Sequence, residues 1–342
     1  MKKILALALL LLAACAPKPA APQTLTVMTH DSFAASEAVI KQFEDAHNVK
    51  VSFLQSGDAG AMLNQAVLTK DAPLADVLFG VDNTFLSRAL DADIFEAYDS
   101  AALKNIAAEF NLDAQNRALP VDYGDVCINY DKAYFAQNHL PVPQSLEDLT
   151  QPQYKNLLVV ENPATSSPGL AFLLATRAHF GDGYLDYWKN LKTNGVVVVD
   201  GWETAYYTNF SASSGKGAQP MVVSYASSPA AEVFFAESPL SEAPTASILA
   251  PGTCFRQIEF AGVLKNTPNR ALAESFVDFM LGKAFQEDMP LNMFVFPVLA
   301  DAQLPEVFTQ YAQTPQQPAA LGAEEISQNR DTWIEAWTEA MK

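Results

Sequence analysis

The sequence predicts an α/β protein: a mixed, mostly parallel sheet with helices packed on its faces. Three observations predict it. First, strand patterns and amphipathic helix patterns alternate from residue 24 to residue 82, the order expected of parallel βαβ units. Second, stretches such as "LADVLFGV" are continuously apolar, as strands buried on both faces must be. Third, the strand patterns end in the polar runs "THDS", "SGDAG" and "VDN". Ligands of open α/β sheets bind beyond the carboxyl ends of the strands.

The chain opens with "MKKILALALLLLAAC". Lys2 and Lys3 form a positive start, and Ile4 to Leu12 form an apolar run too short to cross a bilayer as a stable helix. Leu12-Ala13-Ala14-Cys15 has the form of a bacterial lipobox, so residues 1–15 read as a lipoprotein signal peptide and Cys15 as the lipidated new N-terminus. The plainer reading is an ordinary signal peptide whose cysteine is incidental. Residues 16–23, "APKPAAPQ", read as a Pro/Ala tether without apolar periodicity. No later run reaches 18 apolar residues. An exported, lipid-anchored and otherwise soluble protein is therefore expected, periplasmic or at the cell surface.

After the tether, residues 24–29 form a strand and "ASEAVIKQFEDAHN" a helix, with Ala38, Val39, Phe43 and Ala46 at helical spacing. "VKVSFLQSG" is a second strand, "GDAGAMLNQAVLTK" a helix with Asp58 near its start, and "LADVLFGVDN" a third strand. A second α/β block starts near "LPVDYGDVCINYDKAYF". There "LLVVENPATSSPG" leads into a helix from about Gly169, and "VVVVDGWETAY" and "PMVVSYASSPAAEVFF" end in small, polar or aromatic residues. The last residues place Ile326, Trp333, Ile334, Trp337 and Met341 on one helical stripe, which makes the two tryptophans core.

Composition narrows the function. Without Lys2 and Lys3, 19 basic residues face 39 acidic ones, a balance close to −20. Nucleic acid is an unsuitable partner for such a chain, whereas a cation is drawn to it. The remaining length, 49% apolar, supports two lobes with their own cores. With Cys15 lipidated, Cys127 and Cys254 either pair in an oxidising compartment or stand as two lone thiols. The four histidines are scattered, and no Cys/His cluster has zinc spacing. No nucleophile elbow or HExxH run appears, and "SSGKGAQP" lacks the full phosphate-loop spacing, so it reads as a surface turn. Neither catalysis nor a cofactor is expected.

The order of "LTVMTHDSF", "ADVLFGVDN", "PVDYGDVCINYDK", "ENPATSSPGLAFLLA", "VVSYASSPA" and "ALAESFVDFMLGKAFQ" resembles the solute-binding proteins of ABC importers. The resemblance is to the class in which the chain crosses between two lobes more than once, and it covers nearly the whole chain after the tether. "DSFAA", "LFGVDN", "VDYG", "TSSPG", "DGWETAY", "SYASSPA" and "NRDTWIEAW" are similar to the thiamine-binding subfamily. The resemblance implies a periplasmic-binding-protein-like fold with ligand in the cleft between the lobes. One lobe would comprise residues 24–118 and 259–300, the other 119–258 and 301–342, with a hinge near 119–126 and 255–262. It implies thiamine or a thiamine phosphate as ligand, an ABC permease of the inner membrane as partner, and a monomer.

Carried over position by position, the resemblance makes Trp202 and Tyr225 the aromatic faces on the thiamine rings. Ala226, Ser227 and Ser228 become the contact segment after them. Ser166 and Ser167 would offer hydroxyls and amides at a helix start, where phosphate esters could be held. Asp58 and Ala59 match a contact pair from the first lobe, and Asp31 a position at the mouth. Departures are His30 where tyrosine is frequent, no aromatic in "AASEA", Ala231 where an aromatic can occur, and Phe294 in place of a tryptophan. The aromatic cage is accordingly expected to be thinner than in some relatives. The residue types still suit a flat cation, since an aromatic face contributes about 0.5–1 kcal/mol when exposed and about 2 when desolvated.

The alternative is a ferric-ion-binding protein of the same superfamily, with Tyr206, Tyr207, His30 and a carboxylate as hard donors. Neighbouring side chains on a regular helix point about 100° apart. Tyr206 and Tyr207 therefore read as helix-packing residues rather than joint ligands.

Overall fold

The computed structural model describes residues 23–214 and 216–342, so Cys15, the signal peptide and nearly all of the tether lie outside the described residues. Ten strands form one curled, mixed sheet among the described residues. In chain order they are β1 (Gln23–Thr29), β2 (Val49–Gln55), β3 (Val77–Asp82), β4 (Leu119–Asp131) and β5 (Leu158–Glu161). They continue with β6 (Val197–Val199), β7 (Met221–Tyr225), β8 (Thr245–Ile248), β9 (Phe255–Val263) and β10 (Phe296–Pro297). The spatial order is β2-β1-β3-β9-β4-β7-β5-β6, with β8 and β10 also on β4.

The parallel pairing expected for the first three strands is present: β1 lies between β2 and β3, parallel to both. β5 is likewise parallel to β6 and β7. Each of these neighbours is joined through a helical crossover, as parallel pairing requires. The centre differs. β4 and β9 run antiparallel to each other, and they pair antiparallel with β7 and β3 respectively. The run 119–131 is thus one long crossing strand, and with β9 it joins the two flanks.

The helix Glu37–His47 buries Ile40 and Phe43, whereas Ala38 and Ala46 face solvent. Val39 and Phe43 face the core as their spacing implied, and only the two small alanines of the expected stripe lie on the solvent side. The C-terminal helix Ala323–Met341 buries Ile326, Arg330, Trp333 and Trp337. It packs on the helices Tyr184–Thr193 and Leu86–Asp91, and Arg330 Nη1 donates to Ser87 Oγ at 3.0 Å. Trp188 stands edge-on to Trp337 with ring centroids 5.5 Å apart. Both C-terminal tryptophans are core, as the stripe implied. Among the described residues no helix is long and apolar enough to cross a membrane.

Cys127 on β4 and Cys254, just before β9, form a disulfide. It lies buried against Ala226, tying the two crossing strands together at one end.

Candidate ligand-binding site

β2 and β6 are the two edges of the sheet, yet the loops that follow them meet. Asp58, the N-cap of the helix Ala59–Leu68, accepts from Ala59 N at 2.6 Å. The same carboxylate accepts from Trp202 N at 3.0 Å and Ser167 N at 3.4 Å. Beside it, Gly60 N and Ala61 N donate to the Thr165 carbonyl at 3.0 and 3.2 Å. A Cβ on residue 60 would lie 2.8 Å from that oxygen, so only glycine permits the approach. The sheet is therefore curled until the ends of its outer strands close over a cavity of about 280 Å³, near the lower bound for small-molecule sites.

Aromatic rings form much of the wall. Trp202 stacks on Tyr206 with centroids 5.0 Å apart and 17° between planes. Trp202 also meets Tyr207 edge-on at 5.4 Å and Tyr225 at 6.4 Å. Its indole N–H donates to Ser224 Oγ at 2.9 Å, and Ser224 Oγ lies 2.9 Å from Ser228 Oγ. These contacts fix the ring plane. Phe235, 67% exposed, leans on Phe294 at the rim. Tyr225 packs so tightly on Gly124 that a Cβ there would meet its ring at 2.9 Å.

The remaining wall is acidic. Asp58, Glu203 and Glu259 all line the cavity, together with His30. Asp82, Glu259 and Asp122 are register partners on β3, β9 and β4, so three carboxyls stand abreast across the sheet. All three are buried. Burial pushes Asp82 up to about 7, with Glu259 adding to the rise and hydrogen bonds from Thr84 and Gln257 opposing it. Burial, and then Glu259, hold Asp122 well above the usual carboxylate range. Neither Asp122 oxygen meets a donor, and a protonated carboxyl answers this by supplying its own. Burial works most strongly against Glu259, but His30 and, behind it, Asp122 together hold that carboxyl below its ordinary value. His30 Nε2 lies 3.4 Å from Glu259 Oε1.

Residues 72–329 match the family model of the bacterial extracellular solute-binding proteins. The chain belongs to that family. Among solute-binding relatives, it is 31% identical over 346 residues to the thiamine-binding periplasmic protein of Salmonella typhimurium, covering 100% of this chain and 99% of the relative. The solved structure of a periplasmic thiamin binding protein superposes with a TM-score of 0.81 at 27% identity, over 94% of this chain and 97% of that one. A ferric binding protein from Campylobacter jejuni shares the fold, with a TM-score of 0.75 at 17% identity over 92% of this chain and 99% of that one.

Within this solute-binding architecture, Asp58, Ser167, Trp202, Tyr225 and Ser228 share one cavity wall. Ala59, Ser166, Ala226 and Ser227 are buried behind it. Ser166 Oγ is occupied as a cap, accepting from Gly169 N at 3.5 Å, and Ser227 Oγ donates to the Phe294 carbonyl. Asp31 is half-buried beside the cavity; its backbone N–H donates to the Gly57 carbonyl at 3.0 Å.

Two expectations change. Tyr206 and Tyr207 are not merely packing residues, because both line the cavity. Ala205–Asn209 is a π-helical turn, which alters the spacing that a regular helix imposes. The aromatic wall also holds rings that the sequence expectation left out, Tyr206, Tyr207 and Phe235. Tyr206 donates to Glu232 at 2.6 Å, and burial followed by Glu232 pushes its phenol well above its ordinary value. Burial, Glu203 and Glu232 raise the Tyr207 phenol as well. Among the described residues no group of three His, Cys, Asp or Glu side chains is placed to hold a metal ion.

Sequence reading also missed Glu203 and Glu259. For Glu259 a signal exists: "RQIEFAGV" places Gln257 and Glu259 two apart in an otherwise apolar strand, hence on one face.

Proposed function

We propose that this protein captures thiamine outside the cytoplasm and hands it to an ABC permease. The observation that carries the reading is an aromatic wall set against ionisable carboxyls in one cavity: Trp202, Tyr206, Tyr207 and Tyr225 beside Asp58, Glu203 and Glu259. Thiamine is a permanent thiazolium cation joined to a flat aminopyrimidine, so it needs both features. Full-length similarity to thiamine-binding periplasmic proteins supports the same reading. The ligand bridges the lobes, 24–118 with 259–300 and 119–258 with 301–342. It shifts an open–closed equilibrium whose hinge lies in residues 119–126 and 255–262. The protein acts as a monomer held to the membrane by lipid on Cys15.

Thiamine phosphates fit this reading less well than thiamine. The Ser167 N–H that a phosphate would meet is given to Asp58 at 3.4 Å, so the ester has to displace a carboxylate from a helix start.

The deciding experiment is calorimetry on residues 16–342, refolded to strip ligand, titrated with thiamine, thiamine monophosphate and ferric citrate. One-to-one thiamine binding, weaker monophosphate binding and no response to iron are expected. Silence with thiamine and a coloured iron complex would overturn the reading.

A further inference from the structure

We propose that Glu259 is the subsite for the ligand's positive charge and that His30 occupies it as an imidazolium in the free protein, so that capturing the cation expels a proton. The proposal rests on the thiamine reading and adds a linkage that the reading does not contain.

The geometry is that of a resident cation. His30 follows β1 and is 6% exposed, yet it lines the cavity together with Glu259. Its ring lies against Gly80, where β3 bulges and φ is +101°; a Cβ there would fall 2.3 Å from His30 Cδ2. Only glycine leaves room for the imidazole beside the strand. On its other nitrogen, Nδ1 lies 3.0 Å from Ser32 Oγ. Nε2 makes no hydrogen bond and faces Glu259 Oε1 at 3.4 Å. Acidic side chains surround this pair. Asp31 and Asp58 act on His30 from the loops after β1 and β2, and Glu203 acts from the segment after β6. Asp82 and Asp122 flank Glu259 on the neighbouring strands. The Tyr225 hydroxyl reaches this row through Gln257, donating to its Oε1 at 2.9 Å.

Burial opposes a charge on His30, but Glu259, with Asp58 and Asp31 behind it, raises the imidazole above its ordinary value. A permanent cation seated in the same cavity removes that advantage. Two positive charges would then compete for the Glu259 carboxylate, and His30 is the one able to discharge. The imidazolium gives one proton to solvent and stays as neutral imidazole while the ligand's charge faces Glu259. Binding is therefore weak at pH values where His30 is protonated in both states. It strengthens as pH rises towards the free-protein pKa of His30 and levels off above it.

The test combines two measurements on the same protein. NMR titration of His30 without ligand is expected to give a midpoint above that of ordinary imidazole. Calorimetry with thiamine, in buffers of different ionisation enthalpy, is expected to show release of about one proton per ligand below that midpoint and none well above it. Affinity should rise by up to about tenfold per pH unit in the same window. His30→Gln should bind with no proton release and with a flat profile. Glu259→Gln should lower the His30 midpoint, because burial then meets only the smaller pull of Asp58 and Asp31, and weaken binding at least about tenfold. Thiamine binding without proton release in the wild type would overturn the proposal and leave the functional reading intact. Proton release that persists in His30→Gln would assign the proton to Asp82 or Asp122 and also overturn it. Absence of thiamine binding at every pH would instead remove the functional reading, and this proposal with it.

Discussion

Asp58 accepts the backbone N–H of Trp202 at 3.0 Å, although the two residues follow strands at opposite edges of the sheet. One carboxylate thus caps its own helix and fastens the far side of the cavity. A hydrogen bond to a charged acceptor contributes about 1.5–3 kcal/mol, enough to bias the proposed balance between open and closed forms. Asp58→Ala is expected to enlarge the ligand-free protein in small-angle scattering and to weaken thiamine binding about tenfold or more. Unchanged scattering would reduce Asp58 to a helix cap, with a stability cost of only about 1 kcal/mol.

Trp202 and Tyr206 are stacked, but they play different parts. Trp202→Ala removes the ring and the indole N–H that positions it on Ser224. It is expected to weaken thiamine binding at least about tenfold. Tyr206→Phe keeps the ring and loses only the hydrogen bond to Glu232, so affinity should stay within about threefold. Equal losses in the two variants would show that the hydroxyl, not the stacked face, carries the contact.

The disulfide closes a loop between residues 127 apart in sequence, which constrains the unfolded chain strongly. Replacing both Cys127 and Cys254 with serine is expected to cost about 2–5 kcal/mol, read as a lower midpoint in urea. Because the bond joins the end of the β4 segment paired with β9 to the start of its β9 partner, it is expected to stiffen one side of the proposed hinge. Faster ligand release in stopped flow should accompany the stability loss, and an unchanged release rate would separate the bond from the hinge.

Asp82 provides a pH test of stability. Its folded-state pKa is raised to about 7 from an ordinary 3.8, so the folded protein holds a proton that the unfolded chain has released. Stability from this group is full below about pH 4 and is lost as pH rises to about 7. A shift of this size corresponds to about 4 kcal/mol at most. Asp82→Asn, which keeps an acceptor for Thr84 but carries no charge, should gain stability relative to wild type as pH rises from 4 to 8. Parallel denaturation profiles across that range would contradict the assignment.

Much of the outer sheet was legible because its signals are local. β1 to β3 and the helices between them follow from periodicity in windows of about ten residues, and the C-terminal stripe from Ile326 to Trp337 does likewise. β4 was harder. A continuous apolar run is compatible with a parallel or an antiparallel neighbour, and its partner β9 lies more than a hundred residues away. The site divides in the same way. Trp202 and Tyr225 stood out as aromatics at strand ends, and Asp58 as a polar residue at a helix start. Tyr206 and Tyr207 were misread because a π-turn is a departure from regular spacing that adjacent residues do not announce.

By itself the sequence determined the strand and helix patterns, the acidic balance and the resemblance to solute-binding proteins, all of which reside in residue types and short spacings. Tertiary structure alone decided that Asp58 meets Trp202, that Asp82, Glu259 and Asp122 stand abreast, and that His30 faces Glu259. Such contacts depend on strand register and on the curl of the sheet. Those are set by packing summed over the whole core, and no local stretch of residues contains that sum.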